Sequence, residues 1–211
     1  MASLEISKEE ITIGVLGLQG DIEEHLNILE KIKNENKLDF TYARVKTKSE
    51  IEKCKGLIIP GGESTTLSKL IEYYALYEVI RNKSHILGTC AGLILMAKNI
   101  EGKKEWQKSL DLLDITVSRN AYGSQIHSFS ENSKIILDND EYEIVETFIR
   151  APKIIGIKDN NIKIISKLKD AEITGVELKT NKKHYIGLTF HPELETTLVH
   201  DYFIKSVKNY K

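Results

Sequence analysis

The sequence predicts an α/β protein in three layers, a mostly parallel but mixed sheet with helices on both faces. Three observations predict it. In the N-terminal half, apolar runs alternate with segments of helical spacing, the order that builds parallel sheets. Those runs are continuously apolar, as in strands buried on both faces. The C-terminal half carries more strand and shorter turns, which places antiparallel strands at one edge of the sheet.

The elements follow in order. Ile11 to Leu18 is a buried strand, and Gln19-Gly20-Asp21 turns the chain. Asp21 stands where it can cap the next helix, in which Ile22, Leu26, Leu29 and Ile32 recur at helical spacing. Phe40 to Val45 reads as a second strand and Ser49 to Cys54 as a short helix. Leu57-Ile58-Ile59 is a third strand, ending at Pro60-Gly61-Gly62. Helical spacing returns from about Thr66 to Arg81. Ile86-Leu87 is a fourth strand; it ends at Gly88-Thr89-Cys90 and passes into an apolar helix, Ala91 to Lys98. Asn99 to Leu110, with Trp106, reads as a polar loop without a role. Further strands are expected at Ile115–Ser118, Lys134–Leu137, Ile144–Ile149, Ile154–Lys158, Ile162–Lys167, Ile173–Leu178 and Tyr185–Phe190. A last amphipathic helix carries Val199, Phe203, Val207 and Tyr210. The expected architecture is flavodoxin-like; periodicity alone carries no strand order.

A chain of 211 residues suits one domain, here residues 1–211, with the polar first ten residues as a flexible tail. A net charge of −1 excludes bulk electrostatic attraction to nucleic acid or an anionic membrane. Two cysteines are too few for a disulfide scaffold. With no signal sequence and no membrane-spanning run, a cytoplasmic location is expected.

Ligands of such sheets bind beyond the carboxyl ends of the strands. Four strand ends carry unusual turns: Gln19-Gly20, Gly61-Gly62-Glu63-Ser64, Gly88-Thr89-Cys90-Ala91-Gly92 and His191-Pro192-Glu193. Cys90 lies between small residues on a strand-to-helix turn, like the nucleophile elbow of hydrolases with sulfur in place of oxygen. The helix N-terminus favours thiolate. Gly88 and Gly92 are expected to tighten the turn and admit substrate. Taken alone, G-x-C-x-G fits a buried structural cysteine equally well.

His191 shifts the balance. A cysteine nucleophile needs a base, and the base needs an orienter. His191 can take the thiol proton and return it to a leaving amine; Glu193 can hold the ring. The Gly62 and Ala91 N–H groups can form an oxyanion hole. His25, His85, His127, His184 and His200 are expected to be satisfied surface histidines. None shows metal-ligand spacing, so neither a metal nor a cofactor is expected.

At these residues the sequence resembles the triad-type glutamine amidotransferases, and within them the glutaminase branch that serves pyridoxal 5′-phosphate synthesis. The resemblance rests on Gly14 to Asp21, Leu57 to Thr66, Gly88 to Leu93, Leu113 to Asn120, Phe148 to Pro152 and Phe190 to Leu194, in family order over nearly the whole chain. It departs at Ser124, where many relatives carry a basic residue, and in the first ten residues. The resemblance implies that Cys90 attacks the side-chain amide of L-glutamine and forms a glutamyl thioester. It implies that Gly62, Glu63, Ser64, Arg119, Ile149 and Arg150 hold the glutamine. It also implies a (β/α)8-barrel synthase as partner, met at Gln19 and Gly20, and feeble activity until docking reorients the backbone near Gly61-Gly62. The alternatives are a glutaminase serving another synthase, a cysteine peptidase or γ-glutamyl hydrolase on the same fold, and an inactive docking subunit.

Overall fold

The computed structural model describes residues 11–36, 39–119 and 128–209. The expected tail at 1–10, Asn120, Ser124, His127 and Tyr210 lie outside these residues.

The chain opens with β1 (Ile11–Leu16), α1 (Ile22–Asn36), β2 (Tyr42–Val45), α2 (Lys48–Lys53) and β3 (Cys54–Ile59). Then come α3 (Ser64–Tyr73), α4 (Tyr77–Arg81), β4 (His85–Thr89), α5 (Ala91–Met96), β5 (Ala97–Glu101) and β6 (Leu113–Ser118). The second half comprises β7 (Ser128–Leu137), β8 (Asp140–Ile149), β9 (Lys153–Ile157), β10 (Ile162–Lys167), β11 (Ile173–Lys179) and β12 (His184–Leu188). A 3-10 turn (Pro192–Leu194) and α6 (Leu198–Asn209) close the chain.

Among the described residues twelve strands form one sheet, whose main path runs β2-β1-β3-β4-β12-β11-β10-β7-β8. The pairs from β2 through β12 are parallel, and those from β12 through β8 antiparallel. The parallel part has the order of flavodoxin-like sheets, so the mixed α/β expectation holds. Side chains of the central strands alternate between two apolar clusters, as the two-residue strand period requires. Ile58, Leu87 and Ile186 pack with α1 and α6 on one face. Leu57, Ile59, Ile86 and Tyr185 pack with α2 to α5 on the other.

Two expected helices end early. The one read from Thr66 to Arg81 breaks after Tyr73, where Ala75 takes a φ of 53°. The one read to Lys98 stops at Met96, because Ala97 pairs with Leu113 in β5. The Asn99–Leu110 stretch, read as a loop, begins inside β5 and is held at its other end. Arg81 donates to the carbonyls of Leu110 and Ser109, and the Tyr77 hydroxyl to that of Lys108.

Candidate active site

β1, β3, β4 and β12 are neighbours in the parallel sheet, so their carboxyl ends open on one rim. The four unusual turns lie there.

Every residue of β4 is buried. At its end Cys90 adopts φ 47°, ψ −102°, a backbone region that costs a non-glycine residue energy and recurs at functional sites. The surrounding bonds hold it there. Cys90 N–H donates to the Leu188 carbonyl at 2.8 Å, and the Cys90 carbonyl accepts from Ile94 N–H at 3.2 Å. The sulfur is buried 3.9 Å from the Ile149 carbonyl. The two flanking glycines serve packing, not the substrate access expected of them. A Cβ on Gly92 would stand 2.1 Å from the Ile59 carbonyl oxygen. One on Gly88 would stand 2.4 Å from the Met96 sulfur. Any larger residue would push α5 off the sheet.

β12 delivers His191 to the same rim, and its N–H donates to the Thr147 carbonyl at 2.9 Å. Its Nδ1 lies 2.8 Å from Glu193 Oε1 and 3.3 Å from Asp21 Oδ2. Burial opposes charge on this ring, but the neighbouring Asp21, Cys90 and Glu193 side chains outweigh it and push its pKa up to about 12. Burial also raises the pKa of Glu193, so the pair binds protons tightly, with the ring as the favoured seat between two carboxylates. The other nitrogen, Nε2, has no partner at full hydrogen-bond geometry. Cys90 is thus a neighbour close enough to influence the ring without a formed bond, as is common before substrate tightens a site. Asp21, His191 and Glu193 bring one ligand-type atom each within 4.8 Å of one another. Both carboxylates are spent on the ring nitrogen.

These groups open on a cleft of about 170 Å³ lined by Asp21, Gly62, Glu63, Ser64, Cys90, Ile94, Arg119, Ile149, Arg150 and His191. All six residues expected to hold substrate are among them. The volume falls below the ~300–1,000 Å³ of drug-sized ligand sites and suits something as small as an amino acid. A larger hollow of about 780 Å³ lies between Asn132–Lys134, Lys167–Lys169 and Glu195. It holds none of the expected site residues, so size alone misleads here. Gly62 lines the cleft, and Ala91 is buried in the first turn of α5 directly after Cys90.

Glu63 is committed before any ligand arrives. It caps α3, its carboxylate accepting from Thr66 N–H at 2.6 Å, Thr65 N–H at 3.2 Å and the Thr65 hydroxyl. Partial burial pushes its pKa up, but these bonds win and hold it at about 2. A depressed pKa stabilises the fold above the unfolded carboxyl value and loses that contribution as pH falls through the folded one. Glu63→Gln is therefore expected to cost about 0.5–2 kcal/mol near pH 7. The difference from wild type should close as pH falls toward ~2, as read by paired thermal melts at both pH values.

Arg119 is braced in turn. It lies 3.6 Å from Glu63 Oε1, and donates to Gln107 Oε1 at 2.8 Å and to the Gly102 carbonyl at 3.5 Å. Sequence reasoning missed Gln107, which is buried in the stretch given no role. Asp21 was read only as a helix cap, yet its carboxylate reaches His191. No local signal marks either contact, since both partners are distant in the chain. The expectation for the other histidines also fails: His25, His85, His184 and His200 are buried, at 0%, 3%, 2% and 0% exposure.

The loops after β1 and β3 are tied together. Gln19 Oε1 accepts from Glu63 N–H at 3.0 Å, and Asp21 N–H donates to the Gly61 carbonyl at 3.2 Å. Gly20, at φ 109°, sits so close that a Cβ would be 1.7 Å from the Gly61 oxygen.

Comparison with known proteins supports the same picture. Residues 15–209 match the model of the SNO glutamine amidotransferase family. The chain is 44% identical over 201 residues to the pyridoxal 5′-phosphate synthase subunit PdxT of Methanosphaera stadtmanae, covering 94% of this chain and 98% of that one. It is 38% identical over 202 residues to the subunit of the same name from Pyrococcus furiosus, covering 93% and 99%. A solved structure described as a glutamine amidotransferase superposes with a TM-score of 0.80 at 33% identity, covering 93% of this chain and 99% of that one.

Proposed function

Since the chain belongs to the SNO glutamine amidotransferase family, we propose that its glutaminase reaction runs on Cys90, His191 and Glu193. The protein is the glutaminase subunit that supplies ammonia for pyridoxal 5′-phosphate synthesis. The observation that carries the assignment of residues is the cleft itself. One hollow is lined by both Cys90 and His191, residues 101 positions apart (191 − 90), and by every residue expected to hold glutamine.

The Cys90 sulfur attacks the side-chain amide carbon of L-glutamine as the thiolate partner of the His191 imidazolium. The Gly62 and Ala91 N–H groups meet the resulting oxyanion. The C–N bond breaks, His191 protonates the leaving nitrogen, and ammonia departs from a glutamyl thioester. Water, deprotonated by the now neutral His191, then releases glutamate and restores the imidazolium and the thiolate. Glu193 holds the ring throughout. The amino acid's charged end needs a cation and an acceptor. Arg119, fixed by Gln107, and Arg150 meet its carboxylate; Glu63 meets its ammonium. Ser64 and Ile149 close the cleft around it.

The partner is a synthase subunit of (β/α)8-barrel form, docked at Gln19 and Gly20. The tie between the Gln19–Asp21 and Gly61–Glu63 loops supports activation by docking, because displacing the first moves the backbone that supplies the oxyanion hole. Residues 1–211 act as one cytoplasmic domain. Among the described residues no helix is long and apolar enough to cross a membrane.

The test is ammonia release from L-glutamine with and without the synthase subunit, with mass spectrometry of the trapped enzyme. A glutamyl adduct on Cys90 and a rate that rises on docking are expected. Hydrolysis with no adduct at Cys90 would overturn the assignment.

A further inference from the structure

The triad carboxylate is supported from behind by two histidines that the reaction, as derived, does not use. His25 on α1 and His200 on α6 are completely buried. His25 Nδ1 lies 2.8 Å from His200 Nε2. Its other nitrogen, Nε2, lies 3.2 Å from Thr89 Oγ1 and 3.5 Å from Glu193 Oε1. A chain of buried polar groups thus runs from α6 through α1 to the carboxylate that holds His191.

Charge and partners select the direction of its hydrogen bonds. Burial, then the neighbouring His200 and His191, keep His25 neutral, and burial keeps His200 neutral. Each ring therefore carries one N–H. If His25 held its proton on Nδ1 and donated to His200, the His200 proton would sit on its own Nδ1, which has no partner. That would strand a buried donor and aim a lone pair of His25 at a carboxylate, both costly. The reverse arrangement leaves only an unprotonated nitrogen unpaired. His200 Nε2–H then donates to His25 Nδ1, and His25 Nε2–H points at Thr89 and Glu193.

We propose that His25 is a positioning residue for the glutaminase reaction: its Nε2–H, aimed by His200, holds the Glu193 carboxylate charged and turned toward His191. The proposal rests on the reading of Glu193 as orienter. The titratable groups around that carboxylate are His191 after β12, His25 from α1 and Asp21 from the loop before α1, with His200 behind His25 from α6. Apart from His191, His25 is the histidine that brings a ring nitrogen to the Glu193 carboxylate, 3.5 Å from Oε1. Ligand-orienting outer groups act in this way in other buried sites.

The experiment uses two amides at position 25 in the full chain with the synthase subunit, measuring kcat, KM and the pH profile for glutamine hydrolysis. His25→Gln keeps an N–H near the Nε2 position and is expected to stay within about 3-fold of wild type. His25→Asn places its amide near Nδ1, beyond reach of Glu193. Its kcat should fall about 10- to 100-fold, the loss of one bond to a charged group, with KM unchanged. The acid limb of its profile should move to higher pH, since a carboxylate stripped of a donor holds its proton more tightly. Both variants bury a similar amide, so a merely structural role would move them together. In a Glu193→Gln background the difference between the two amides should vanish. Equal behaviour of His25→Gln and His25→Asn, or a difference that persists in that background, overturns the proposal. If Glu193→Gln alone keeps the wild-type rate, the reading of Glu193 fails first and the proposal with it.

Discussion

Cys90→Ala is expected to abolish glutamine hydrolysis, by at least about 10⁴-fold, while binding to the synthase subunit stays intact. The magnitude follows from the chemistry: without the sulfur there is no thioester, and only the oxyanion donors and binding remain to assist water. Ser64 also lines the cleft, but it opens α3 and does not stand on the strained strand-to-helix turn that presents Cys90. Binding should survive because the sulfur is buried at 4% exposure, whereas the proposed docking loop is Gln19–Gly20. Ammonium salts should restore product formation by the synthase, which separates loss of ammonia supply from loss of assembly. Ammonia release, pull-down with the synthase and the ammonium rescue are the three measurements. A variant within about tenfold of the wild-type rate would place the nucleophile elsewhere.

His191→Asn is expected to lower the rate by about 10³- to 10⁴-fold. Both carboxylates, Asp21 and Glu193, lie on the Nδ1 side of the ring. Only Nε2 is left to pair with the sulfur and deliver a proton to the departing nitrogen. Asparagine can reproduce the bond at the Nδ1 position but accepts no proton. The loss should therefore appear in kcat, with little change in KM, since the cations proposed to hold the amino acid are untouched. Alkylation of Cys90 by iodoacetamide at pH 7 should slow as well, because the imidazolium that favours the thiolate is gone. Unchanged alkylation together with a collapsed rate would assign His191 to the leaving group alone.

The elements most legible in the sequence were those buried on both faces. β1, β3, β4 and β12 read as apolar runs because no side of them meets water, and their carboxyl ends carry the turns that form the site. Legibility failed where a distant partner decided the outcome. Ala97 leaves a helical pattern because Leu113 waits across a ladder. His25 and His200 read as ordinary surface histidines because nothing near them in the chain signals that α1 and α6 bury them against each other. Gln107 sits in an unremarkable polar stretch, and its bond to Arg119 spans twelve residues.

By itself the sequence determined the α/β class, and it singled out the proposed nucleophile, base and carboxylate with the turns that carry them, because periodicity and turn chemistry are local properties of a chain. The tertiary structure alone decided the strand order, the second carboxylate on His191, the brace on Arg119 and the buried histidine chain behind Glu193. Those depend on which faces of distant segments meet. Such contacts form only when the sheet is assembled, so no window of neighbouring residues records them.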